Sequence, residues 1–197
     1  MPNTKQIRSD LRDGKDMAFI ADQYFGQFIR YERGFRSYRA LSIGQRSWQT
    51  TTEVLWGPPG TGKSMYAWAE GGPDAFWLAR PNGNRAFWDG YDGQEVVVID
   101  EFSGWLPYNF MCRLLDRYPM RVETKGSSVP FLAKRIIITS NLDPVKWYKR
   151  GLGALRRRLT GELGVVYHKA ELDSEKEVYE LGEDPNVFFV NDPALRE

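Results

Sequence analysis

The stretch that most constrains this chain is GPPGTGKS, residues 57–64, which follows the apolar run Val54-Leu55-Trp56 and precedes a helical stretch beginning at Met65. It matches the pattern G-x-x-x-x-G-K-[ST], placed between a strand and a helix, where that pattern forms a phosphate-binding P-loop. Its glycines permit a tight turn whose backbone N–H groups converge on phosphate at the start of a helix. Nucleotide binding is therefore predicted, and the alternative is a Gly/Pro turn that binds nothing.

All residues of the loop are assigned to the nucleotide: Gly57, Pro58, Pro59, Gly60, Thr61, Gly62, Lys63 and Ser64. Lys63 is expected to reach the β and γ phosphates of ATP, and the Ser64 hydroxyl is expected to bind Mg²⁺. The apolar run 96–99 ends in Asp100 and Glu101. We expect Asp100 to hold Mg²⁺ through its water shell and Glu101 to position and deprotonate the attacking water.

The fold class follows from four short runs that are apolar at every position, residues 54–56, 76–78, 96–99 and 136–138. Such runs are typical of strands buried on both faces of a parallel sheet. Because they alternate with helical stretches, we predict an α/β domain with a central parallel sheet flanked by helices. The last run leads to Asn141, which could hydrogen-bond the γ phosphate or the lytic water. The alternative is that Asn141 caps the loop before Asp143-Pro144.

Residues 1–47 are predicted to form two or three short helices, with Asp16 as a cap. Aromatic and aliphatic residues recur there at steps of three and four: Met17, Ile20, Tyr24, Phe28, Tyr31, Phe35 and Tyr38. This stripe either packs on the larger domain or is buried against a neighbouring subunit. The domain limits are then 1–47 for a helical oligomerisation segment, 48–170 for the nucleotide-binding domain, and 171–197 for an acidic, solvated end.

Composition excludes several functional classes. The 27 Lys and Arg residues nearly balance 26 Asp and Glu residues, so no global field attracts nucleic acid or a membrane, and any such contact must be local. One cysteine, Cys112, excludes an internal disulfide and a Cys-cluster zinc site. One histidine, His168, excludes sites that need two histidines from this chain. Without a long apolar run, neither secretion nor a membrane span is expected.

Two basic features remain. Arg156-Arg157-Arg158 lies on a predicted helix. Either one or two of these arginines reach a neighbouring subunit's γ phosphate, or the run is a solvated basic face. Residues 120–131 read as two β-like runs around a Lys-Gly-Ser-Ser turn. Lys125 at this turn is either a solubilising group or, if several hairpins meet in a ring, a contact to the backbone of nucleic acid.

Six strings occur in the order GPPGTGKS, FWDGY, VVVIDEFSGWLP, DRYPMRVETKGSSVPFLAK, IIITSN and ALRRRLT. Together they resemble the superfamily 3 helicase domain of replication-initiator (Rep) proteins from circovirus-like single-stranded circular DNA viruses. The resemblance covers roughly residues 53–168. The preceding helices look like the family's linker that promotes oligomerisation.

The resemblance implies an AAA+-like ATPase that uses ATP and Mg²⁺, forms a hexameric ring and moves 3′ to 5′ on single-stranded DNA in rolling-circle replication in the host nucleus. By position, Lys125 and Gly126 fall in the DNA-contacting hairpin and Asn141 in the sensor. Arg158 best matches the arginine finger, with Arg157 second. Full-length Rep proteins begin with a nuclease domain that has a His-hydrophobic-His motif, whereas His168 is the one histidine here. We therefore expect a fragment or truncated Rep and assign no strand nicking to it.

Two alternatives to an ATP-hydrolysing helicase stay open. The first is a non-catalytic module in which nucleotide stabilises an oligomer that supports a missing nuclease. The second is a small-molecule kinase, although the Asp100-Glu101 pair favours water as the phosphate acceptor. A guanine-specific switch is disfavoured because no Asn-Lys-x-Asp string occurs.

Overall fold

The computed structural model of the chain describes residues 4–83, 85–149, 151–168 and 177–178. The elements in chain order are α1 (Thr4–Arg12), α2 (Met17–Gln23), α3 (Phe25–Ser42), β1 (Thr51–Trp56), α4 (Lys63–Gly71), β2 (Phe76–Leu78), β3 (Val96–Ile99), α5 (Tyr108–Leu114), β4 (Arg121–Thr124), β5 (Ser127–Pro130), β6 (Arg135–Ser140), a 3₁₀ turn (Pro144–Lys146), α6 (Gly153–Thr160), β7 (Gly164–His168) and β8 (Glu177–Val178). Apart from β8, the predicted acidic segment 171–197 lies outside the described residues.

A six-stranded sheet forms the centre, in the order β2-β3-β6-β1-β7-β8. The first five strands are parallel, and β8 pairs antiparallel with β7. The α/β prediction is confirmed, and all four apolar runs are strands: β1, β2, β3 and β6. Strand β7 was not predicted. Its apolar run, Val165-Val166-Tyr167, is as short as that of β2, and within it only Val166 is buried.

Helices cover both faces of the sheet. On one face Leu55, Val98 and Ile137 pack with Ala67 of α4. On the other, the neighbouring strand residues join a larger core that includes α5 and α6. Because successive side chains of a strand point to opposite faces, burial of both faces explains why the four runs within these strands are apolar at every position.

The N-terminal segment forms three helices, as predicted, and Asp16 caps α2 by accepting the Phe19 N–H at 2.7 Å. Its aromatic stripe packs mainly inside the segment and not on the α/β part, and burial against a neighbouring subunit stays a prediction. Met17 and Ile20 are buried against Ile7 and Leu11 of α1. Most of the other stripe residues pack around this cluster, so the stripe completes a small core inside the segment. Only Ile7 and Leu11 of α1 are buried, and two apolar residues were too few to predict that α1 packs against the stripe.

Two arginines attach the helices and the following linker to the α/β part. Arg39 of α3 is buried, donates to the Lys15 carbonyl at 3.1 Å and forms an ion pair with Asp92. Arg46 lies in the predicted helical oligomerisation segment 1–47, yet its side chain is 1% exposed. The α/β part therefore receives a buried anchor from a residue that the sequence placed outside it.

None of the helices in the described ranges is long and apolar enough to cross a membrane.

Candidate active site

The predicted P-loop connects the carboxyl end of β1 to the first residue of α4. Gly60 and Gly62 have φ values of 82° and 79°, a region that residues with a side chain rarely adopt. The Gly57 N–H donates to the carbonyl of Ser140 at the end of β6, at 3.1 Å. The loop therefore begins beside the neighbouring strand and turns as a phosphate-binding loop requires.

Lys63 is buried beneath this loop. Its Nζ donates to the carbonyls of Gly57 and Pro58, at 3.0 and 2.6 Å, and to Thr61 Oγ1 at 3.3 Å. Burial lowers the pKa of the ammonium, and the two carboxylates after β3 oppose that shift. All contacts of Nζ are with uncharged oxygens, which stronger anionic acceptors can replace.

Asp100 is the meeting point of three elements. The Ser64 hydroxyl, in the first turn of α4, donates to Asp100 Oδ1 at 2.9 Å. The Thr139 hydroxyl, near the end of β6, donates to the same oxygen at 2.6 Å. The structure therefore brings together Ser64 and Asp100, the two residues that the sequence assigned to Mg²⁺, and adds Thr139 as a third member.

Glu101 has an unusual backbone. Its φ of 51° is the one positive value found at a non-glycine position in the described ranges, and this conformation is disfavoured for residues with a side chain. Two contacts hold it: its N–H donates to Thr139 Oγ1 at 2.9 Å, and its carbonyl accepts from Trp105 Nε1 at 3.3 Å. The Glu101 side chain is exposed, so this turn presents the carboxylate to solvent beside Asp100.

Asn141 follows β6 and is exposed. Because β6 lies between β1 and β3, Asn141 emerges at the edge of the sheet that carries the P-loop and Asp100. Other residues cap the loop that follows: Ser140 Oγ accepts from the Leu142 N–H at 2.9 Å, and Asp143 caps the 3₁₀ turn. The loop before Pro144 is therefore held by Ser140 and Asp143.

The arginine run lies on α6, as predicted, but its members differ. Arg158 is largely buried: its Nη2 lies 2.5 Å from Asp116 Oδ2, and its Nη1 donates to the Ala154 carbonyl at 2.8 Å. Arg157, the next residue along the chain, is exposed. The best match to the finger by sequence is thus engaged inside its own chain, whereas the second choice faces solvent.

The predicted hairpin is present as β4 and β5, which pair antiparallel. Its turn consists of Lys125 and Gly126, and Gly126 has a φ of 79°. The two serines that were predicted to belong to the turn are instead the first residues of β5. Lys125 stands at the tip with its side chain 77% exposed, 3.2 Å from Asp89.

Sequence reasoning missed three residues that hold these groups in place: Thr139, Asp89 and Asp116. Thr139 lies within the string IIITSN, and the order of the strands gives the only signal that it faces Asp100. Asp89 belongs to the quoted FWDGY string, but no local pattern indicates its contact with a turn 36 residues later. The same holds for Asp116 and Arg158, which are 42 residues apart.

The fold and site define a P-loop nucleotide-binding domain of the parallel α/β type. Residues 54–142 match the family described as RNA helicase. The Replication-associated protein of Porcine circovirus 1 is 44% identical over 159 residues, which cover 77% of this chain and 50% of that protein. The Replication-associated protein of Porcine circovirus 2 is 44% identical over 173 residues, covering 81% and 54%. That of Human associated cyclovirus 1 is 36% identical over 162 residues, covering 75% and 57%.

The chain therefore carries the helicase domain of a circovirus-like Rep protein, as the resemblance predicted. It spans about half the length of the curated relatives it matches.

Proposed function

We propose that this chain is an ATP-dependent DNA helicase that moves 3′ to 5′ along single-stranded DNA in rolling-circle replication of a viral circular genome, in the host nucleus. One observation carries the proposal. Beneath the P-loop, Ser64 and Thr139 donate to one oxygen of Asp100, and Glu101 follows with its carboxylate exposed. A loop for phosphates, a pair of metal-binding groups and a general base therefore share one edge of the sheet.

The donor set at this edge suits Mg²⁺. Ser64 Oγ and Asp100 Oδ1 lie 2.9 Å apart, and both are hard oxygen ligands of the kind that Mg²⁺ prefers. Ser64 would bind the ion directly and Asp100 through water, and the bound ion would neutralise charge on the β and γ phosphates of ATP.

Three side chains of this edge each have one role in ATP hydrolysis. The Lys63 ammonium exchanges its carbonyl contacts for the β and γ phosphate oxygens, which are stronger acceptors because they are charged. Glu101 accepts a proton from the attacking water. Asn141 donates from its amide to the γ phosphate or orients that water.

Hydrolysis takes place at interfaces between subunits, in a ring that we propose to be hexameric. The helical segment 1–47 promotes this assembly, and the arginine run of α6 supplies the finger to a neighbour's γ phosphate. Both Arg157 and Arg158 are candidates. Arg157 is exposed, and Arg158 matches the finger by its position in the motif but must first leave Asp116.

DNA is contacted at the tip of the β4–β5 hairpin. Lys125 is exposed there, and Gly126 lets the backbone turn tightly beside it. In a ring, several such tips would face one central strand and grip its phosphates with little preference for base sequence.

Steady-state ATP turnover tests the proposal. The purified chain should hydrolyse Mg·ATP, and single-stranded DNA should raise the rate. Glu101→Gln serves as the inactive control. Single-stranded RNA of the same length tests whether DNA or RNA stimulates ATP hydrolysis. A chain that binds ATP and assembles, yet turns over no faster than Glu101→Gln, would be a non-catalytic oligomerisation module. Turnover by a monomer that requires an added acceptor would indicate a kinase.

A further inference from the structure

The carboxylate of Asp89 contacts Lys125 twice. Its Oδ1 accepts the Lys125 backbone N–H at 2.8 Å, and its Oδ2 lies 3.2 Å from the Lys125 ammonium. One side chain therefore holds the backbone of the hairpin tip and also places a negative charge beside the group proposed to bind DNA.

Asp89 sits on a segment that is firmly attached to the hairpin. Trp88 is fully buried, and its backbone N–H donates to the backbone carbonyl of Glu123 in β4 at 2.8 Å. Beyond the other strand, the Leu132 N–H donates to the Tyr91 hydroxyl at 2.9 Å. Contacts on both sides of Asp89 thus fix its position relative to the hairpin.

Both charged groups are open to solvent. The side chains of Lys125 and Asp89 are 77% and 43% exposed. The backbone N–H of Lys125 is the main cause of a lowered pKa at Asp89, so the carboxylate remains ionised at neutral pH. Both residues also line a cleft of about 530 Å³ whose opposite wall is α3. A phosphate that reaches Lys125 from this cleft therefore also meets the charge of Asp89.

We propose that Asp89 is a positioning residue for Lys125 and also its counter-ion: it fixes the hairpin tip through the backbone and weakens the hold of the ammonium on nucleic-acid phosphate. The proposal rests on the DNA contact at Lys125 given under Proposed function. It assigns two effects of opposite sign to one carboxylate. A helicase must release each phosphate in order to move, and a built-in competitor for the ammonium serves that need.

Two variants separate the effects. Asp89→Asn keeps an amide oxygen for the backbone N–H but removes the charge. It should bind a single-stranded oligonucleotide about threefold more tightly at low salt, with a steeper dependence of affinity on salt, because Lys125 is no longer neutralised in part. Asp89→Ala removes both contacts, and the gain should vanish because the tip is no longer held. The proposal is overturned if Asp89→Asn binds no tighter than the parent, or if Asp89→Ala binds as tightly as Asp89→Asn.

Two controls connect the effect to Lys125. In Lys125→Ala, the further change Asp89→Asn should leave affinity within about 1.5-fold, because its target is gone. Glu95 forms another exposed ion pair, with Lys134 at 2.5 Å. Glu95→Gln removes one negative charge from that pair and should not reproduce the gain in affinity of Asp89→Asn. If Lys125→Ala binds DNA like the parent, the DNA contact under Proposed function fails. If it weakens binding while Asp89→Asn changes nothing, only the present inference fails.

Discussion

The Thr139 hydroxyl donates to Asp100 Oδ1 at 2.6 Å and accepts the backbone N–H of Glu101 at 2.9 Å. One side chain on β6 therefore holds both acidic residues that follow the neighbouring strand β3. Thr139 is 1% exposed, so bulk water has no access to replace its hydroxyl. This contact fixes the proposed metal-binding group and the proposed general base relative to each other.

Thr139→Val keeps the shape of the side chain and removes the hydroxyl. We expect kcat for ATP hydrolysis to fall by roughly 10- to 100-fold, because misplacement of a catalytic group by about 1 Å costs up to that much. Thr139→Ser retains the hydroxyl and should stay within about threefold of the parent. Steady-state kinetics checks both variants. An unchanged kcat in Thr139→Val would show that Asp100 and Glu101 do not depend on this contact.

Glu101→Gln tests the general base. The amide keeps the size and polarity of the side chain but cannot accept the proton, so hydrolysis should slow by about 10² or more while the Kd for ATP stays within about threefold. Single-turnover hydrolysis and binding of a fluorescent ATP analogue measure the two quantities. Glu123→Gln, an exposed carboxylate on β4, is the matched control. Parallel loss of binding and turnover would instead make Glu101 a structural or metal-binding group.

The sequence allowed the sheet and the nucleotide edge to be predicted because their signals are local. A strand covered on both faces is expected to contain a continuous apolar run, as β1, β3 and β6 do, and the P-loop is a single continuous string. The sequence did not predict the order of the strands in the sheet. Thr139 lies against Asp100 because β6 is the neighbour of β3.

The parts that the sequence did not predict depend on contacts between distant residues. From the sequence, Arg46 is one more charged residue at the end of the helical segment, yet its guanidinium is buried among carbonyls nearly 70 residues away. Arginine side chains are usually exposed, so the residue type alone predicts that Arg46 faces solvent. The partner of the aromatic stripe was missed for a related reason: the pattern showed that the stripe needs a partner but not that α1 provides one.

Arg46 should be important for stability. Its guanidinium donates to the carbonyls of Arg113, Leu114 and Tyr118 and to Thr50 Oγ1. Burial lowers its pKa to about 10, so it stays charged at neutral pH. Arg46→Ala leaves buried carbonyls without donors, at about 1 kcal/mol or more each, and should lower the free energy of unfolding by about 3 kcal/mol. Urea denaturation measures this. The exposed Arg30→Ala should cost less than about 0.5 kcal/mol, and a similar small loss for Arg46→Ala would contradict the role.

The arginine run tests whether the active site is shared between subunits. Arg157 is exposed, whereas Arg158 is bound to Asp116 within its own chain. A finger must reach a neighbour's γ phosphate, so we expect Arg157→Ala to spare nucleotide affinity but reduce hydrolysis by roughly 10³. Arg158→Ala should instead reduce stability, because it removes the cation paired with the partly buried Asp116.

Mixing variants identifies which arginine acts in trans. Lys63→Ala lacks the ammonium of the P-loop but keeps its arginines, and Arg157→Ala has the reverse defect. A ring containing both can place an intact Lys63 beside an intact Arg157 of the next subunit, which neither pure variant can do. Mixtures should therefore exceed the summed activity of their components once subunits exchange. If the mixture with Arg158→Ala gains activity and that with Arg157→Ala does not, Arg158 leaves Asp116 on assembly and is the finger. If neither mixture gains, the shared site fails, and the run is a basic surface of α6.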